Sequence, residues 1–508
     1  MQPHLTWSVC YLNASYDKVS FDMKDNISIS KIRKEFNRTK IVATMGPACS
    51  SYENLKQLFE EGVDVCRLNF SHGSYDDHQK IIDTINQLNE DLGTNVAMLL
   101  DLQGPKLRVG EMENGKVELI KGEIIDVTTE KCVGTANKVY INFDSLPKDV
   151  AKGERILLDD GKLELRVTET NKKNIIKAEV IVGGWLSNKK GFNLPDTKLS
   201  IPSMTQKDLD DLKFGIQNKV EWVGLSFVRT EADVIFLKNI IELNDWKPRV
   251  IAKIEKPEAV EFIDKIIAVT DGVMVARGDL GVEMPMEQVP VIQKMIVKKC
   301  IEASKPVIIA TQMMESMITS AVPTRAEVND VANAVMDGAD AVMLSAETSV
   351  GAYPHLAVRA MRKTIFEVET KTNAPYFKGT RPDLNSSTFF SDEICFTAVR
   401  ISDHMKATAI VGMTFSGYSA YRLSSYRPKA NIFIFTTNPR LINTLSLVWG
   451  VRGFLYRGFE STDDSIQDVN NTLAANGYVH TGDIIINTAS MPIIERSRTN
   501  TIKISEIK

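Results

Sequence analysis

From position 39 onward, short apolar runs rich in β-branched residues alternate with segments that have the spacing of amphipathic helices. Such continuous runs are typical of parallel strands that are buried on both faces of a sheet. Polar residues follow nearly every run, and active sites of barrels lie at the carboxyl ends of their strands. The pattern therefore favours an α/β fold built on a (β/α)8 barrel over a doubly wound open sheet. The eight runs are Lys40–Thr44, Val63–Leu68, Val96–Asp101, Val220–Ser226, Val250–Ile254, Gly272–Ala276, Pro306–Thr311 and Ala341–Ser345.

The stretch between the third and fourth runs, residues 107–200, is far longer than an ordinary loop. Its own apolar runs are separated by glycine, proline and an Asp-Asp-Gly turn, which predicts β structure. We expect an all-β domain inserted after strand three of a barrel that comprises residues 39–106 and 201–370. At the carboxyl end of the barrel it can act as a lid, and a decorative insertion is the alternative. The runs are Val117–Ile120, Ile124–Val127, Arg155–Leu158, Leu163–Val167 and Ile175–Val180.

Strand and helix alternate again beyond a polar, proline-bearing linker, which predicts a C-terminal α/β domain over residues 371–508. A helix from Ser391 precedes its strands. Residues 1–38 are polar and aperiodic and lack the features of a signal peptide or a mitochondrial leader, so we interpret them as an N-terminal extension. The C-terminal runs are Thr408–Gly412, Ile432–Phe435, Gly453–Tyr456, Ile484–Asn487 and Thr501–Ile504.

The overall composition is that of a globular chain. Of 508 residues, 25% are charged and 43% hydrophobic, and the formal net charge is -4. No run approaches the ~18 apolar residues of a membrane-spanning helix, and no basic field attracts nucleic acid, so neither kind of partner is expected. The six cysteines lie far apart without disulfide or zinc spacing, which fits reduced thiols and a cytoplasmic location.

Charged residues at the ends of the fifth and sixth runs carry the first sign of chemistry. Side chains alternate along a strand, so Lys253 and Glu255 lie on one side, and the sixth run leads into a segment that contains Asp279. Two carboxylates whose other ligands are water or substrate suit Mg²⁺. A lysine beside them suits a transferring phosphoryl group, and an ordinary lysine–glutamate pair is the alternative.

The other predicted strand ends strengthen this interpretation. Arg67 lies near the end of the second run and Arg108 follows the third, and both have the forked geometry that binds phosphate. Hydroxyl groups end the fourth, seventh and eighth runs, at Ser226, Thr311 and Ser345. The residues alone therefore predict a Mg²⁺-dependent enzyme that acts on a phosphorylated acid.

The chain also carries an ordered series of longer motifs, namely Thr39–Pro47, Arg67–Gly73, Ser187–Pro195, Lys253–Glu255, Met274–Gly281, Ala310–Met317, Pro323–Glu327 and Met343–Thr348. Through this series it resembles the pyruvate kinases from about Thr39 to its end. The resemblance implies transfer of phosphate from phosphoenolpyruvate to ADP, with Mg²⁺ as cofactor. It also implies a homotetramer, which nothing in the composition indicates.

The resemblance implies a role for each matching residue. Glu255 and Asp279 would hold the Mg²⁺, and Arg67 and Lys253 would hold the phosphoryl group. Either Thr311 or Ser345 would belong to the relay that protonates the enolate, and the sequence does not choose between them. The substrate-binding set also includes Gly278, Asp279, Thr311 and Ser226. The positions that line the nucleotide are Thr44, Pro47, His72, Arg108 and Lys190, the last of which would reach the phosphates only when the lid closes.

Potassium is the point at which the chain departs from many members of the family. Asn69, Ser71, Asp101 and Leu102 match the family's monovalent-cation site, but Lys106 stands where K⁺-requiring members carry glutamate. An ammonium group can supply the positive charge itself, so we expect Lys106 to replace the ion and K⁺ not to be required. The alternative is that Lys106 points to solvent and the site still binds the ion.

The predicted C-terminal domain offers a second candidate site, where the loop after its first strand leads into a helix. Hydroxyls and free N–H groups there suit a phosphorylated effector, and a serine-rich helix cap is the alternative. In the family a later glycine-rich loop closes over the effector, but residues 489–498 lack those glycines. A sugar monophosphate or a nucleotide is therefore expected rather than fructose 1,6-bisphosphate. The loop residues are Thr414, Ser416, Gly417 and Ser419.

Two rival functions remain open at this point. A Mg²⁺-dependent carbon–carbon lyase on the same barrel needs the two carboxylates and an arginine, but neither Lys253 nor a nucleotide-facing lid. A non-enzymatic binder would have lost one of the central residues. None is lost among Arg67, Lys253, Glu255, Asp279 and Thr311.

Overall fold

The computed structural model describes residues 37–198, 200, 202–458, 461–492 and 497–508. The predicted N-terminal extension, apart from its last two residues, lies outside the described residues. The fold begins with β1 (Lys40–Thr44), α1 (Tyr52–Glu61), β2 (Val65–Asn69), α2 (Tyr75–Leu92) and β3 (Ala97–Asp101). Ser51 and Ser74 cap the amino ends of the two helices, and Gly62 and Gly93 end them in the left-handed conformation.

A sheet-rich domain is inserted after β3, as the sequence predicts. It contains β4 (Lys116–Leu119), β5 (Ile124–Thr128), β6 (Lys138–Tyr140), α3 (Leu146–Asp149), β7 (Arg155–Leu158), β8 (Leu163–Thr170), β9 (Ile175–Val182), β10 (Gly184–Ser187) and β11 (Phe192–Asn193). Six strands form one sheet in the order β11-β7-β8-β9-β5-β6, and β10 pairs with β4. Buried aliphatic side chains give this domain a core of its own. The short strands β6, β10 and β11 were not predicted.

The chain then returns to the barrel. It forms α4 (Gln206–Gln217), β12 (Trp222–Leu225), α5 (Glu231–Glu242), β13 (Arg249–Ile254), α6 (Pro257–Glu261), α7 (Ile263–Val269), β14 (Gly272–Ala276), α8 (Arg277–Glu283), α9 (Val289–Glu302), β15 (Val307–Ala310), α10 (Arg325–Asp337), β16 (Ala341–Leu344), α11 (Ala346–Ser349) and α12 (Pro354–Lys371). Eight parallel strands close in the order β1-β16-β15-β14-β13-β12-β3-β2. The barrel prediction is confirmed, and the open sheet is excluded.

Apolar side chains fill the barrel on both sides of its strands. Inside, Val42, Trp222 and Met274 belong to one fully buried cluster. Outside, the strands pack against the helices through a larger cluster of valine, leucine and isoleucine side chains. Burial on both faces explains why the strands read as continuous apolar runs. Polar side chains are thereby left to the strand ends.

A five-stranded sheet forms the C-terminal domain. Its elements are α13 (Phe389–His404), β17 (Ala409–Met413), α14 (Tyr418–Ser425), β18 (Asn431–Thr436), α15 (Pro439–Thr444), β19 (Val451–Leu455), α16 (Thr462–Ala475), β20 (Ile484–Ala489) and β21 (Thr501–Glu506). The strand order is β19-β18-β17-β20-β21, and only β21 runs antiparallel to its neighbour among these paired strands. Trp222, at the amino end of β12, donates to the carbonyl of Thr444 at 3.2 Å. The domain therefore packs on the barrel face opposite the inserted domain. Within the described ranges, no helix is both long and apolar enough to cross a bilayer.

Candidate active site

Lys253, near the carboxyl end of β13, is held by partners from three segments of the barrel. Its ammonium lies 3.1 Å from Asp101 Oδ1 and 2.9 Å from Glu255 Oε1, and it donates to Ser226 Oγ at 2.6 Å. Only 8% of the residue is exposed. Burial alone would lower the pKa of Lys253, but the two carboxylates raise it above its ordinary value. The side chain is therefore a cation at neutral pH.

Asp101, the last residue of β3, holds a second cation. Arg67 Nε donates to Asp101 Oδ2 at 2.7 Å, and Arg67 Nη1 donates to Thr44 Oγ1 at 3.0 Å. Burial would raise the pKa of Asp101, but Lys253 and Arg67 hold it below its usual value. A glycine in the intervening strand leaves room for this contact, since a Cβ at Gly224 would lie 3.3 Å from Asp101 Oδ1 and 3.6 Å from Lys253 Cδ. From the sequence, Asp101 is expected only as part of the monovalent-cation site, so its pairing with both cations is an addition from the structure.

Glu255 and Asp279 form the pair of carboxylates that the sequence predicts to hold a metal. Glu255 follows β13 directly and its Oε2 accepts the Phe227 N–H at 2.8 Å, whereas Asp279 lies in the first turn of α8. Burial raises the pKa of Glu255, Lys253 opposes that effect, and the negative charge of Asp279 adds to it. Over the described residues, no group of three or more His, Cys, Asp or Glu side chains has metal-binding geometry. A metal held here would take its other ligands from substrate and water.

Thr311, directly after β15, faces the start of α8. Its hydroxyl accepts the Gly278 N–H at 2.7 Å and donates to the carbonyl of Ala310 at 2.6 Å, and its φ of +69° is strained for a β-branched residue. The Arg277 guanidinium supports it by donating to the Thr311 carbonyl at 2.6 Å and to Asp330 at 2.8 Å. The Gly278 N–H is thus bonded to Thr311, and the Arg277 guanidinium binds other groups of the protein.

Ser226 and Ser345 occupy different surroundings. Ser226 Oγ donates to a backbone carbonyl at 2.7 Å while it accepts from Lys253, so it fixes the direction of the lysine. The Ser345 N–H donates to Glu347 Oε2 at 2.6 Å, and Glu347 Oε1 accepts the Met314 N–H at 3.2 Å. Burial raises the pKa of Glu347. Sequence reasoning missed this buried carboxylate as a support of the Ser345 loop, and its only signal is its place three residues after the end of β16.

Thr44, Pro47 and His72, three of the predicted nucleotide-lining residues, lie at the barrel mouth. Thr44 is buried and donates its hydroxyl proton to a backbone carbonyl at 2.8 Å, whereas Pro47 and His72 are exposed. Desolvation and then the positive charges of Lys106 and Arg108 lower the pKa of His72. The imidazole therefore faces a positive region, as a site for phosphate requires.

Arg108 and Lys190 lie where the inserted domain joins the barrel. Arg108 pairs through its backbone with Gly191, and its guanidinium donates to the carbonyl of Lys189 at 3.0 Å. The Lys190 ammonium lies 2.8 Å from Asp159 Oδ1. In this conformation Lys190 is thus paired within its own domain.

The predicted monovalent-cation positions surround the end of β3. Asn69 Oδ1 accepts the Ser71 N–H at 3.1 Å, and Leu102 is buried with its N–H bonded to a backbone carbonyl at 3.0 Å. The fourth position, Asp101, is the residue that pairs with both cations. Lys106 is exposed and lines the cleft between barrel and inserted domain together with Asp279, which puts a positive charge at the rim of the site.

Three of the four predicted effector residues, Thr414, Ser416 and Ser419, line a pocket in the C-terminal domain. Thr414 Oγ1 accepts the N–H of Gly417, which has φ of +85° and precedes α14. The hydroxyl of Ser419 is buried without a hydrogen-bond partner among the described residues. Arg457 and Arg498 also line the pocket. Residues 493–496, within the stretch that lacks the family's glycines, lie outside the described residues.

Comparisons with known proteins match this geometry. The sequence model "Pyruvate kinase, barrel domain" matches residues 36–358, and "Pyruvate kinase, alpha/beta domain" matches residues 392–505. The chain is 41% identical over 469 residues to the pyruvate kinase of Staphylococcus haemolyticus, a match that covers 92% of this chain and 80% of that protein. The pyruvate kinase of Geobacillus stearothermophilus is also 41% identical, with the same coverage. A crystal structure of a pyruvate kinase from Cryptosporidium parvum superposes with a TM-score of 0.87 at 33% identity, over 93% of this chain and 96% of that one.

Proposed function

The chain belongs to the pyruvate kinase family, and from this premise we propose how its own side chains carry out the reaction. Enzymes of this family transfer a phosphoryl group from phosphoenolpyruvate to ADP and so form pyruvate and ATP. One observation carries the proposal. A buried ammonium, that of Lys253, lies within 3.1 Å of two carboxylates, and one of these belongs to the candidate metal pair.

Glu255 and Asp279 would hold the divalent metal of the reaction, Mg²⁺. The donor set fits because both groups are carboxylates, the hard oxygen ligands that Mg²⁺ prefers. The negative charge of Asp279 also raises the pKa of Glu255, so a bound cation would relieve an unfavourable interaction between the two carboxylates. When bound, Mg²⁺ supplies positive charge that offsets the charge of the phosphoryl oxygens.

Arg67 and Lys253 bind the phosphoryl group of phosphoenolpyruvate. Both are cations that pair with Asp101, and Lys253 also pairs with Glu255, so two positive charges are already held in place for the phosphoryl group. An ammonium held in place by Asp101 and Ser226 needs no rearrangement as charge builds on the transferring group, which is the property of an effective electrostatic catalyst. The substrate carboxylate binds near the backbone of Gly278 and Asp279, where Thr311 exchanges its bond with the Gly278 N–H for one to the substrate.

The enolate that remains after transfer is protonated through a hydroxyl or water relay. Lys253 is a poor donor because its carboxylate partners raise its pKa above the ordinary value. Thr311 and Ser345 are the two candidates. Thr311 is favoured by its contact with α8, and Ser345 by its support from the buried Glu347.

ADP binds between the barrel mouth and the inserted domain, which acts as a lid. Thr44, Pro47 and His72 line the barrel side, and Arg108 and Lys190 the other. The nucleotide phosphates draw Lys190 away from Asp159, now 2.8 Å distant. Closure of the inserted domain thereby excludes water from the transfer step.

Lys106 replaces the monovalent cation of the family, so K⁺ is not required. Its place on the rim of the cleft that Asp279 also lines supports this role. Its positive charge contributes to the lowered pKa of His72, which fits a lysine that acts on the site rather than on bulk solvent.

The C-terminal pocket binds a phosphorylated effector, either a sugar monophosphate or a nucleotide. Its support is the group of hydroxyls on the loop after β17 together with Arg457 and Arg498. Titration of such compounds at low phosphoenolpyruvate tests this. If none changes the rate and Ser416→Glu is equally silent, the loop is a structural helix cap.

The enzyme works in the cytoplasm as a homotetramer. Its barrel comprises residues 39–106 and 201–370, its inserted domain residues 107–200 and its C-terminal domain residues 371–508. Sedimentation analysis of the full chain tests the tetramer. A coupled assay with phosphoenolpyruvate, ADP and Mg²⁺ tests the activity, and pyruvate should form in step with ATP. Absence of pyruvate under these conditions would overturn phosphoryl transfer and leave the carbon–carbon lyase or the non-enzymatic binder.

A further inference from the structure

Glu283, the last residue of α8, receives two side chains that come from distant parts of the chain. Its Oε1 accepts the Lys256 ammonium at 2.6 Å and the Asn193 amide at 2.7 Å. Only 4% of Glu283 is exposed, and Lys256 is 9% exposed. Asn193 belongs to β11 of the inserted domain. One buried oxygen thus joins the inserted domain, the segment after β13 and α8.

The two candidate metal ligands, Asp279 and Glu255, are each linked to Glu283 Oε1 through a few neighbouring residues. Asp279 lies one helical turn before Glu283 in α8. Lys256 is the residue after Glu255, and its ammonium lies 6.0 Å from the centre of the Phe227 ring. The Phe227 N–H in turn donates to Glu255 Oε2 at 2.8 Å. A shift of Glu283 therefore acts on both carboxylates.

The two bonds to Glu283 differ in strength. The Lys256–Glu283 pair is a buried ion pair, and leaving either charge alone in the interior is strongly unfavourable. The bond from the neutral amide of Asn193 is weaker and is the one that can exchange when the inserted domain moves. The second oxygen of the carboxylate, Oε2, is buried and has no hydrogen-bond partner in the part of the chain that the structure describes. The amide thus has a second acceptor available as the domain moves.

We propose that Glu283 is a positioning residue that couples the placement of the inserted domain, through Asn193, to the geometry of the metal carboxylates Glu255 and Asp279. The proposal rests on the metal role given to these carboxylates above. Because coupling is reciprocal, metal binding favours the placement of the inserted domain that keeps the Asn193–Glu283 bond, and loss of that bond weakens metal binding.

The test uses Mn²⁺ as a probe, titrated into the full chain and followed by the electron paramagnetic resonance signal of the free ion. Asn193→Leu removes the amide donor but leaves Lys256 paired, so it should fold, and it should weaken Mn²⁺ binding about fivefold. Glu283→Gln should weaken Mn²⁺ binding at least as much, because it leaves the buried Lys256 ammonium without its carboxylate. Since Asn193 acts through Glu283, the double variant should lose less affinity than the product of the two single losses. Excess Mg²⁺ should restore the rate of Asn193→Leu.

Two control variants separate the possible outcomes. Glu169→Gln changes an exposed glutamate of the same domain, 3.9 Å from Lys177, and should leave Mn²⁺ binding unchanged. If Asn193→Leu binds Mn²⁺ as the parent does while Glu255→Gln has lost it, the coupling is wrong and the metal site stands. If Glu255→Gln also retains Mn²⁺ binding, the metal site itself is wrong and the coupling fails with it. Additive losses in the double variant would likewise overturn the coupling.

Discussion

Arg427 of the C-terminal domain donates a hydrogen bond of 2.8 Å to Asp340, the residue before barrel strand β16, and both side chains are almost completely buried. Arg427 also donates to the Gly338 carbonyl at 2.8 Å, and its guanidinium lies 4.9 Å from the centre of the Trp449 ring. Asp340 Oδ1 accepts the backbone N–H of Trp449 at 3.2 Å. This buried ion pair fastens the C-terminal domain to the amino face of the barrel.

Arg427→Met should therefore destabilise the protein strongly, because it leaves the Asp340 carboxylate buried without its cation. The expected cost is about 3–5 kcal/mol, and the midpoint of denaturant unfolding should fall accordingly. Arg155→Met is the matched control, since Arg155 pairs with Asp196 at 2.9 Å on the exposed surface. Its cost should stay within about 1 kcal/mol. Equal losses in the two variants would contradict the role given to the buried pair.

Lys253→Met should still fold, because Asp101 keeps Arg67 as its cation, and it should lose most of its turnover. The variant removes the cation that faces the transferring group, and loss of such a contact typically costs about 10²–10³ in kcat. The KM for phosphoenolpyruvate should change less than kcat, because Arg67 still binds the phosphoryl group. The measurement is a steady-state assay with Lys265→Met, an exposed lysine on the barrel surface, as control. A near-normal kcat would show that Lys253 serves only to pair its carboxylates.

Glu221 should make stability depend on pH. It precedes β12, is 5% exposed, and accepts the Met98 N–H at 2.7 Å and the Asn443 amide at 3.1 Å. Burial raises its pKa to about 7, from 4.5. Between these two values the folded state binds more protons than the unfolded state, so the contribution of Glu221 to stability falls as pH rises through this window.

Glu221→Gln should accordingly gain stability over the parent between pH 5 and pH 8, by up to about 3 kcal/mol. The amide oxygen of the glutamine still accepts the Met98 N–H, and the Asn443 amide can turn its oxygen toward the new amino group, so the packing is kept. Thermal unfolding at several pH values provides the measurement, with Glu169→Gln as the exposed control. A stability difference that stays constant over this range would show that Glu221 titrates as an ordinary carboxyl group.

Potassium should have little effect on the rate. Two like unit charges about 4 Å apart at an effective dielectric near 20 repel by roughly 4 kcal/mol, so a monovalent ion beside the Lys106 ammonium is disfavoured. Initial rates with Mg²⁺ and either K⁺ or tetramethylammonium at equal ionic strength should agree. Lys106→Glu should lower the rate without K⁺ and make it respond to K⁺. A large, saturable activation of the parent by K⁺ would overturn the idea.

The sequence predicts the barrel well because every strand of it is buried on both faces. β1 and β14 have the predicted bounds, and the other barrel strands end within two residues of theirs. The short strands β10 and β11 were not predicted, because they contain four and two residues and show no alternation of apolar and polar residues. Their pairing is set by partners elsewhere in the inserted domain.

The candidate site likewise contains contacts that the local sequence predicts and contacts that only the tertiary fold determines. Lys253 and Glu255 lie on one strand, so their proximity follows from the period of a strand alone. The contact between Lys253 and Asp101 crosses β12 and depends on which strands are neighbours in the barrel. The one local sign of this contact is Gly224 of β12, which has no side chain to separate Lys253 from Asp101. The pairing of Lys190 with Asp159 likewise depends on how the inserted domain folds, which no local pattern fixes.

The position of the inserted domain delays closure of the barrel while the chain is being synthesised. β3 pairs with β12 in the closed barrel, but the whole inserted domain is translated between them. At roughly 5–20 residues per second, β3 waits on the order of ten seconds for its partner. During this time the open edge of β3 presents free N–H and C=O groups to other nascent chains. The inserted domain can already fold, because it has a core of its own. Ribosome-stalled chains that end before β12 should therefore bind chaperones more than chains that end after β16, and equal binding would show that the open edge is harmless.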